Sequence, residues 1–302
     1  MSRSVLEAFR FEQTLMRVLY GASFFVCVVL FVFFLFSAHP IWSIIPILIT
    51  AVFIYAHWIE PNLITIKRYH LPVADQSKTT VRIAFLSDFH ANETKGKKFF
   101  SRVAAKTNAL KPDLILLGGD FMEERASFLP ELLPLKKLKA NYGKFFIIGN
   151  HDFFDDPGRV RREIEKLGFT DLSNKEEAFE IHNRPLRIVG LDDVWFGAPD
   201  LSVIHARSKE PRILLTHEPD ALFDLKKGDA DLVLVGHTHG GQVRLPFFGR
   251  VIPLPQKISH TFDRGRKFWC AIPVIISQGL GESVFPLRFF CPPEIVLIDL
   301  EI

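Results

Sequence analysis

Aspartate, asparagine and histidine gather at five places in this chain, and each place follows a short apolar run. Ser87-Asp88-Phe89-His90 comes after Val81–Leu86, Gly118-Gly119-Asp120 after Leu114–Leu117, and Gly149-Asn150-His151-Asp152 after Phe145–Ile148. His217 closes the run Ile213-Leu214-Leu215-Thr216, and Gly236-His237-Thr238-His239-Gly240-Gly241-Gln242 follows Asp231–Val235. Five of the eleven histidines lie in these loops. Carboxylates and imidazoles hold divalent cations and relay protons at neutral pH. The three cysteines, Cys27, Cys270 and Cys291, are far apart, with no Cys-x-x-Cys spacing to indicate a zinc knuckle or a disulfide framework. A metal site here is therefore expected to be built from nitrogen and oxygen. Side chains two apart in an extended stretch point the same way, so His237 and His239 are expected to face one site.

The runs before these loops read as strands, and helical patterns separate the first three. Lys97 to Leu110 reads as one helix and Phe128 to Ala140 as a Pro-interrupted one. Asp156-Pro157 opens a third, whose Val160, Ile164 and Leu167 share a face before Gly168 ends it. This β-α-β-α-β-α order predicts a sheet with crossover helices. Asp88, Asp120 and Asn150 recur about every thirty residues, the length of one β-α-β unit. Ligands in such sheets bind outside the carboxyl ends of the strands, so the polar loops are expected to converge. Beyond Phe169 strand-like segments dominate: Leu186 to Leu191, Ile213 to Leu215, Leu232 to Val235, Val274 to Ser277 and Ile295 to Leu300. A mixed sheet, or two packed sheets with helices outside, is the expected architecture.

The first sixty residues have a different character. Residues 1–17 are an amphipathic lead-in. From Val18 to Ala38 no residue is charged, and a helix of that length reaches about 31 Å, enough to cross the hydrocarbon core. After His39-Pro40, Ile41 to Ile59 again lacks Asp, Glu, Lys and Arg, with Trp42, Tyr55 and Trp58 near its ends. Two membrane helices, 18–38 and 41–59, are expected, followed by a polar linker over 60–80 and, over 81–302, the domain that carries the five loops. Arg3, Arg10 and Arg17 flank one end and Lys67 and Arg68 the other, which predicts both flanks, and hence the domain, on the cytoplasmic side of the cell membrane. With 37 basic and 34 acidic residues, the net charge of +3 offers no footprint for nucleic acid. Nothing in the sequence points to a protein partner.

The five loops resemble the motifs of the calcineurin-like metallophosphoesterases: Asp88-x-His90, Gly119-Asp120, Gly149-Asn150-His151-Asp152, His217 and Gly236-His237-Thr238-His239. The resemblance covers roughly Val81 to Ile302. It implies a four-layer αββα sandwich with a two-metal centre at the strand ends. By this resemblance Asp88, His90 and His239 bind one metal, Asn150, His217 and His237 the other, and Asp120 bridges both. His151 matches the family's non-ligand histidine, which stabilises the phosphoryl group or protonates the leaving oxygen, so His151 and Asp120 carry the catalysis. Where the phosphoprotein-phosphatase branch has Asp and Arg after the Gly-Asp motif, this chain has Glu123 and Glu124, which speaks against a protein phosphatase.

Chemistry supports the same design. Two divalent cations about 3.5–4 Å apart share and acidify a hydroxide and neutralise charge on phosphoryl oxygens, and a two-oxygen carboxylate is a natural bridge. The ligand set suits Mn²⁺, with Fe or Zn²⁺ as alternatives.

Gly190-Leu191-Asp192-Asp193, Gly197-Ala198-Pro199-Asp200, His217-Glu218-Pro219-Asp220 and the C-terminal stretch Ser277 to Ile295 look most like a membrane-associated bacterial branch. Some members of that branch cleave UDP-2,3-diacylglucosamine at its pyrophosphate. The resemblance thus implies a phosphodiester or pyrophosphate hydrolase for a lipid-linked substrate at the bilayer. A tethered phosphodiesterase for soluble substrates and a non-catalytic, metal-stabilised binding module are the alternatives. The apolar, basic stretch from Arg244 to Pro255 fits either lipid contact or an ordinary core-facing hairpin.

Overall fold

The computed structural model describes residues 40–72, 79–205, 210–253 and 256–302, with isolated helical positions between 14 and 32. The lead-in and the first expected membrane helix otherwise lie outside the described residues. In chain order the first seven strands are β1 (Thr65–Pro72), β2 (Thr80–Leu86), β3 (Leu114–Leu117), β4 (Gly143–Phe146), β5 (Thr170–Asp171), β6 (Lys175–Ile181) and β7 (Arg184–Gly190). Then come β8 (Arg212–Thr216), β9 (Leu232–Val235), β10 (Arg244–Leu245), β11 (Gly249–Arg250), β12 (Gly265–Trp269), β13 (Ile272–Ile276) and β14 (Glu294–Glu301). The α-helices are α1 (Pro40–Ile54), α2 (Lys97–Ala109), α3 (Pro157–Lys166) and α4 (Ser202–His205).

Runs without a polar residue, such as Leu114-Ile115-Leu116-Leu117 and Leu232-Val233-Leu234-Val235, are buried on both faces and form inner strands. The first sheet has the order β1-β14-β2-β3-β4-β5 and the second β12-β13-β9-β8-β7-β6. Strands β2 to β5 are parallel, as are β7, β8, β9 and β13, whereas β14 runs antiparallel to β2. One core lies between the sheets, with Ile83, Phe85, Leu114 and Leu116 facing Ile188, Ile213, Leu215 and Leu234. A second joins the outer face of the first sheet to α2, α3 and a 3-10 segment through Phe100, Val103, Leu132 and Val160. A third covers the other sheet with Ile204, Ala221 and Leu222. The layers are thus helix, sheet, sheet, helix.

The departures from expectation have local causes. The stretch 60–80, expected as a linker, contains β1, which pairs in parallel with β14 along its whole length. Its Lys67, Arg68 and His70 are exposed on a strand at the sheet edge, and such charged edge strands look like linkers in sequence. β6 and β12 are charged outer strands hidden in the same way. The segment expected as a helix over Phe128–Ala140 is a 3-10 helix over Ala126–Lys137, because Pro130 and Pro134 cannot donate to an α-helical ladder. The apolar run Ile41–Ile59 is an α-helix only to Ile54 and then a π-helical turn, Tyr55–Ile59. Among the described residues no helix is long and apolar enough to cross a membrane.

The base of this N-terminal segment is tied to the domain. Glu60, buried, accepts from the backbone N–H of Phe290 at 3.0 Å and from that of Cys291 at 2.5 Å, and Arg288 donates its N–H to the Ala56 carbonyl.

Candidate metal centre

The carboxyl ends of β2, β3, β4, β8 and β9 open onto one place, and the loops that leave them carry the polar side chains there. Asp88, His90, Asp120 and His239 bring one ligand atom each to within 4.8 Å of one another, and Asp120, His217 and His237 do the same. Asn150 joins the second group, its Oδ1 lying 3.2 Å from His217 Nε2 and 2.9 Å from His237 Nδ1. Asp120 reaches both groups: its Oδ2 stands 3.3 Å from His90 Nε2 and 3.1 Å from His217 Nε2. His151 lies at the rim of the same cluster, its ring 4.6 Å from that of His90. All eight residues singled out in the sequence therefore meet.

The backbone carries strain where they meet. Asp88, His90, Asp120, His237 and His239 all have φ between 42° and 67°, the left-handed region that non-glycine residues rarely occupy. Such conformations concentrate at functional sites. They also correct the expectation that His237 and His239 share a face through strand geometry; a tight turn presents them. That turn sits so close to β2 that a Cβ on Gly236 would stand 2.0 Å from Ser87 Oγ.

Hydrogen bonds at the other ring nitrogen fix how the imidazoles point. His217 Nδ1 donates to the Gly118 carbonyl at 2.6 Å, His239 Nδ1 to the Gly281 carbonyl at 3.2 Å, and His90 Nδ1 to Glu123 Oε2 at 2.6 Å. Each bond directs Nε2 inward, the arrangement that orients metal-binding histidines. His90 Nε2 and His239 Nε2 consequently face each other at 2.9 Å, a contact that needs a cation or a proton between two lone pairs. Asp88 Oδ2 and His237 Nε2 are buried without a hydrogen-bond partner. One belongs to each ligand group, and a buried polar atom left without a partner in a ligand cluster fits a site built for a cation.

The electrostatics agree. Burial works against a charge on His90, yet the neighbouring Glu123 carboxylate prevails and raises it to about 10. In His217 burial is likewise opposed and outweighed, here by Asp120, and the value lies well above the ordinary one. Burial and then His90 hold His239 well below its usual value, and burial and then His217 lower His237 to about 3. Burial opposes ionisation of Asp120, but His217 and His151 keep its carboxyl well below the usual range. Asp120 is thus held as the anion among these imidazoles, and its charge is what raises His217.

A model of the calcineurin-like phosphoesterases matches residues 81–241, more than half of the chain. The chain belongs to that family. As a calcineurin-like phosphoesterase it is a hydrolase of phosphoester bonds, from a family that typically uses two divalent metals. The Bacillus subtilis metallophosphoesterase YkuE is 32% identical over 259 residues, covering 82% of this chain and 89% of its own. The Escherichia coli phosphodiesterase YaeI is 29% identical over 257 residues, covering 82% of this chain and 92% of its own. The UDP-2,3-diacylglucosamine pyrophosphatase LpxG of Chlamydia muridarum is 26% identical, covering 81% and 92%.

Three contributors were not singled out in the sequence. Glu123, noted only as a departure from the phosphatase pattern, grips His90 through its carboxylate and His151 Nδ1 through its carbonyl at 2.7 Å. Asp152 accepts from the backbone N–H groups of Asp120, Phe121 and Gly149 and so ties two metal loops together. Trp195 packs edge-on against His237, with ring centroids 4.4 Å apart, and its indole N–H reaches Asp220 Oδ2. The available signal is position: Asp152 closes the Gly-Asn-His-Asp motif and Glu123 follows Asp120 by three residues, whereas for Trp195 there is none. An open cleft of about 370 Å³, bounded by Thr94, Glu123, Arg125, Phe128 and Val284, runs beside the centre.

Proposed function

We propose that this phosphoesterase hydrolyses a phosphodiester or pyrophosphate bond in a lipid-linked substrate such as UDP-2,3-diacylglucosamine. In this reading residues 18–59 anchor the chain in the cell membrane and the catalytic domain faces the cytoplasm. The observation that carries the lipid reading is the attachment of α1 to the site. Its outward Ile44, Ile45, Leu48, Ile49 and Val52 are exposed, and its base is clamped through Glu60 and Ala56 to the 288–291 segment. That segment also adjoins Gln242, three residues past His239. The similarity to LpxG points to the same substrate class.

Asp88, His90 and His239 would hold one cation, Asn150, His217 and His237 the other, with Asp120 shared and Mn²⁺ the preferred metal. When bound, the pair supplies an acidified water and neutralises the phosphoryl oxygens. Asp120, kept ionised by its histidines, also accepts the His151 N–H at 2.8 Å and fixes that residue against the centre. His151, its Nδ1 donating to the Glu123 carbonyl, turns Nε2 toward Ser283 Oγ at 3.4 Å, on the side of the centre nearest the cleft. There it holds a proton for the leaving oxygen: water oxygen bonds to phosphorus, the bond to the leaving group breaks as His151 Nε2 gives its proton to the departing oxygen, and the proton lost by the water restores His151. Glu123 and Glu124 stand where a protein phosphatase would carry Asp and Arg, so a phosphoprotein substrate is not proposed.

The test uses the full chain in detergent with Mn²⁺. Turnover of UDP-2,3-diacylglucosamine far above that of bis(p-nitrophenyl) phosphate is expected. Comparable turnover of both would favour a tethered enzyme for soluble diesters, and turnover of neither with Mn²⁺, Fe²⁺ or Zn²⁺ would leave a metal-stabilised binding module. A reporter active only outside the cytoplasm, fused at the C-terminus, is expected to stay silent.

A further inference from the structure

The hairpin that follows the metal motif has an unusual tip. β10 and β11 pair Arg244 with Arg250 and Leu245 with Gly249, leaving Pro246, Phe247 and Phe248 as the turn. Phe247 is 105% exposed and Phe248 87%, and Leu245 and Val251 are exposed beside them. Phe247 also sits at φ 69°, a conformation that turns normally give to glycine or asparagine. A large aromatic ring here is disfavoured by its backbone and by water at once, and an exposed apolar cluster of this kind marks a contact site.

The base of the hairpin is fixed to the metal loop. Arg244 Nη1 donates to the Gly240 carbonyl and to Asp263 Oδ2, each at 2.6 Å. Arg250 packs on Gly241, where an added Cβ would lie 2.5 Å from the Arg250 Cβ. The hairpin is also continuous with the base of α1. Arg244 donates its N–H to the Phe289 carbonyl, Phe289 donates to the Gln242 carbonyl, and Arg288 donates to the Ala56 carbonyl. The rings of Tyr55 and Phe289 meet edge-to-face at 6.3 Å, and Phe290 is exposed beside them.

Resting on the membrane reading above, we infer that the Arg244–Arg250 hairpin is a second bilayer contact. Phe247 and Phe248 seat in the interfacial layer of the membrane that takes α1, with Arg244 fixing the hairpin base through Asp263 and the partly exposed Arg250 at headgroup level. Aromatic rings above a basic base have the composition of an interfacial anchor. Two rings on a three-residue turn are too small for a stable protein interface, which needs more than about 1,000 Å². A lipid surface needs no shape complement. The contact sets the height and tilt of the metal centre over the bilayer, so a phosphoester held by its acyl chains meets the metals without leaving the membrane.

The experiment uses the full chain, with Cys27 and Cys270 replaced by serine, in phosphatidylethanolamine vesicles containing one-third phosphatidylglycerol. A nitroxide is placed at Phe248→Cys or, separately, at Leu48→Cys on α1, and relaxation by oxygen is compared with relaxation by a water-soluble nickel chelate. Oxygen is expected to exceed nickel severalfold at both sites. Lipid-like values at position 48 with water-like values at 248 would overturn the hairpin contact and leave the membrane anchor standing. Water-like values at both would remove the anchor, and this inference with it. A label at 248 shielded from both reagents would mean that a protein surface covers the tip, and would overturn the lipid assignment.

Discussion

His90 Nδ1 and Glu123 Oε2 lie 2.6 Å apart with both residues buried, a charge-assisted bond at the inner wall of the metal centre. Burial opposes the Glu123 charge, but His90 holds its carboxyl down to about 2, so it stays an acceptor throughout the working range. Its other oxygen accepts the Val284 N–H at 3.0 Å. Glu123→Ala leaves His90 free to rotate and is expected to weaken Mn²⁺ binding about 10–100-fold. Glu123→Gln, which can still accept from Nδ1, is expected to lose less. Equilibrium dialysis of the metal against each variant decides; unchanged affinity in Glu123→Ala would remove Glu123 from the support of the centre.

Among the described residues Asp120 is the one carboxylate within reach of both ligand groups, through Oδ2, while Oδ1 takes the His151 N–H. Its removal breaks both groups and releases the backbone that positions His151. Asp120→Ala is expected to lose metal occupancy, measured by elemental analysis of the purified protein, together with hydrolysis of bis(p-nitrophenyl) phosphate. Normal turnover by that variant would refute the shared-carboxylate arrangement.

What the sequence made legible was set by polarity. Runs such as Leu114–Leu117 and Leu232–Val235 reveal buried strands because nothing in them tolerates water, and the polar loops after them stand out by contrast. β1, β6 and β12 run along or near sheet edges and carry Lys, Arg and Glu, so only their pairing marks them as strands. The left-handed backbone at Asp88, His90 and Asp120 has no glycine to announce it. Glu123 belongs to the centre through contacts to His90 and His151 that only the fold brings together, which residue type alone does not encode.

Gly236 begins the metal turn because the backbone there passes against β2. A Cβ would stand 2.0 Å from Ser87 Oγ and 3.0 Å from Asp88 Oδ2, and Ser87 Oγ is itself held by the Gly118 carbonyl at 3.3 Å. Gly236→Ala is expected to cost about 1–3 kcal/mol, the usual range for overpacking. Pairing it with Ser87→Ala removes the nearest clashing atom and should recover part of the loss. Urea unfolding of the two single variants and the double variant measures the coupling, and strict additivity would place the strain elsewhere.

Lys95 is buried under the base of the N-terminal segment. Its ammonium donates to the Pro61 carbonyl, pairs with Glu282 Oε1 at 3.0 Å and lies 3.9 Å from the centre of the Phe99 ring. Burial lowers its pKa from 10.5 to about 8, against the pull of Glu282. Below about pH 8 the lysine is charged in both folded and unfolded chains, and the desolvation cost is carried in full. Between about 8 and 10.5 the folded chain gives up this proton while the unfolded chain keeps it, so the unfolded state binds more protons and stability rises with pH. The shift corresponds to about 3 kcal/mol at most. Lys95→Met abolishes this titration and leaves Glu282 paired with Arg288 at 3.2 Å. The stability of the wild type relative to Lys95→Met, from urea unfolding at several values across that window, is expected to climb with pH. A flat difference would show that the folded lysine keeps its ordinary affinity for the proton.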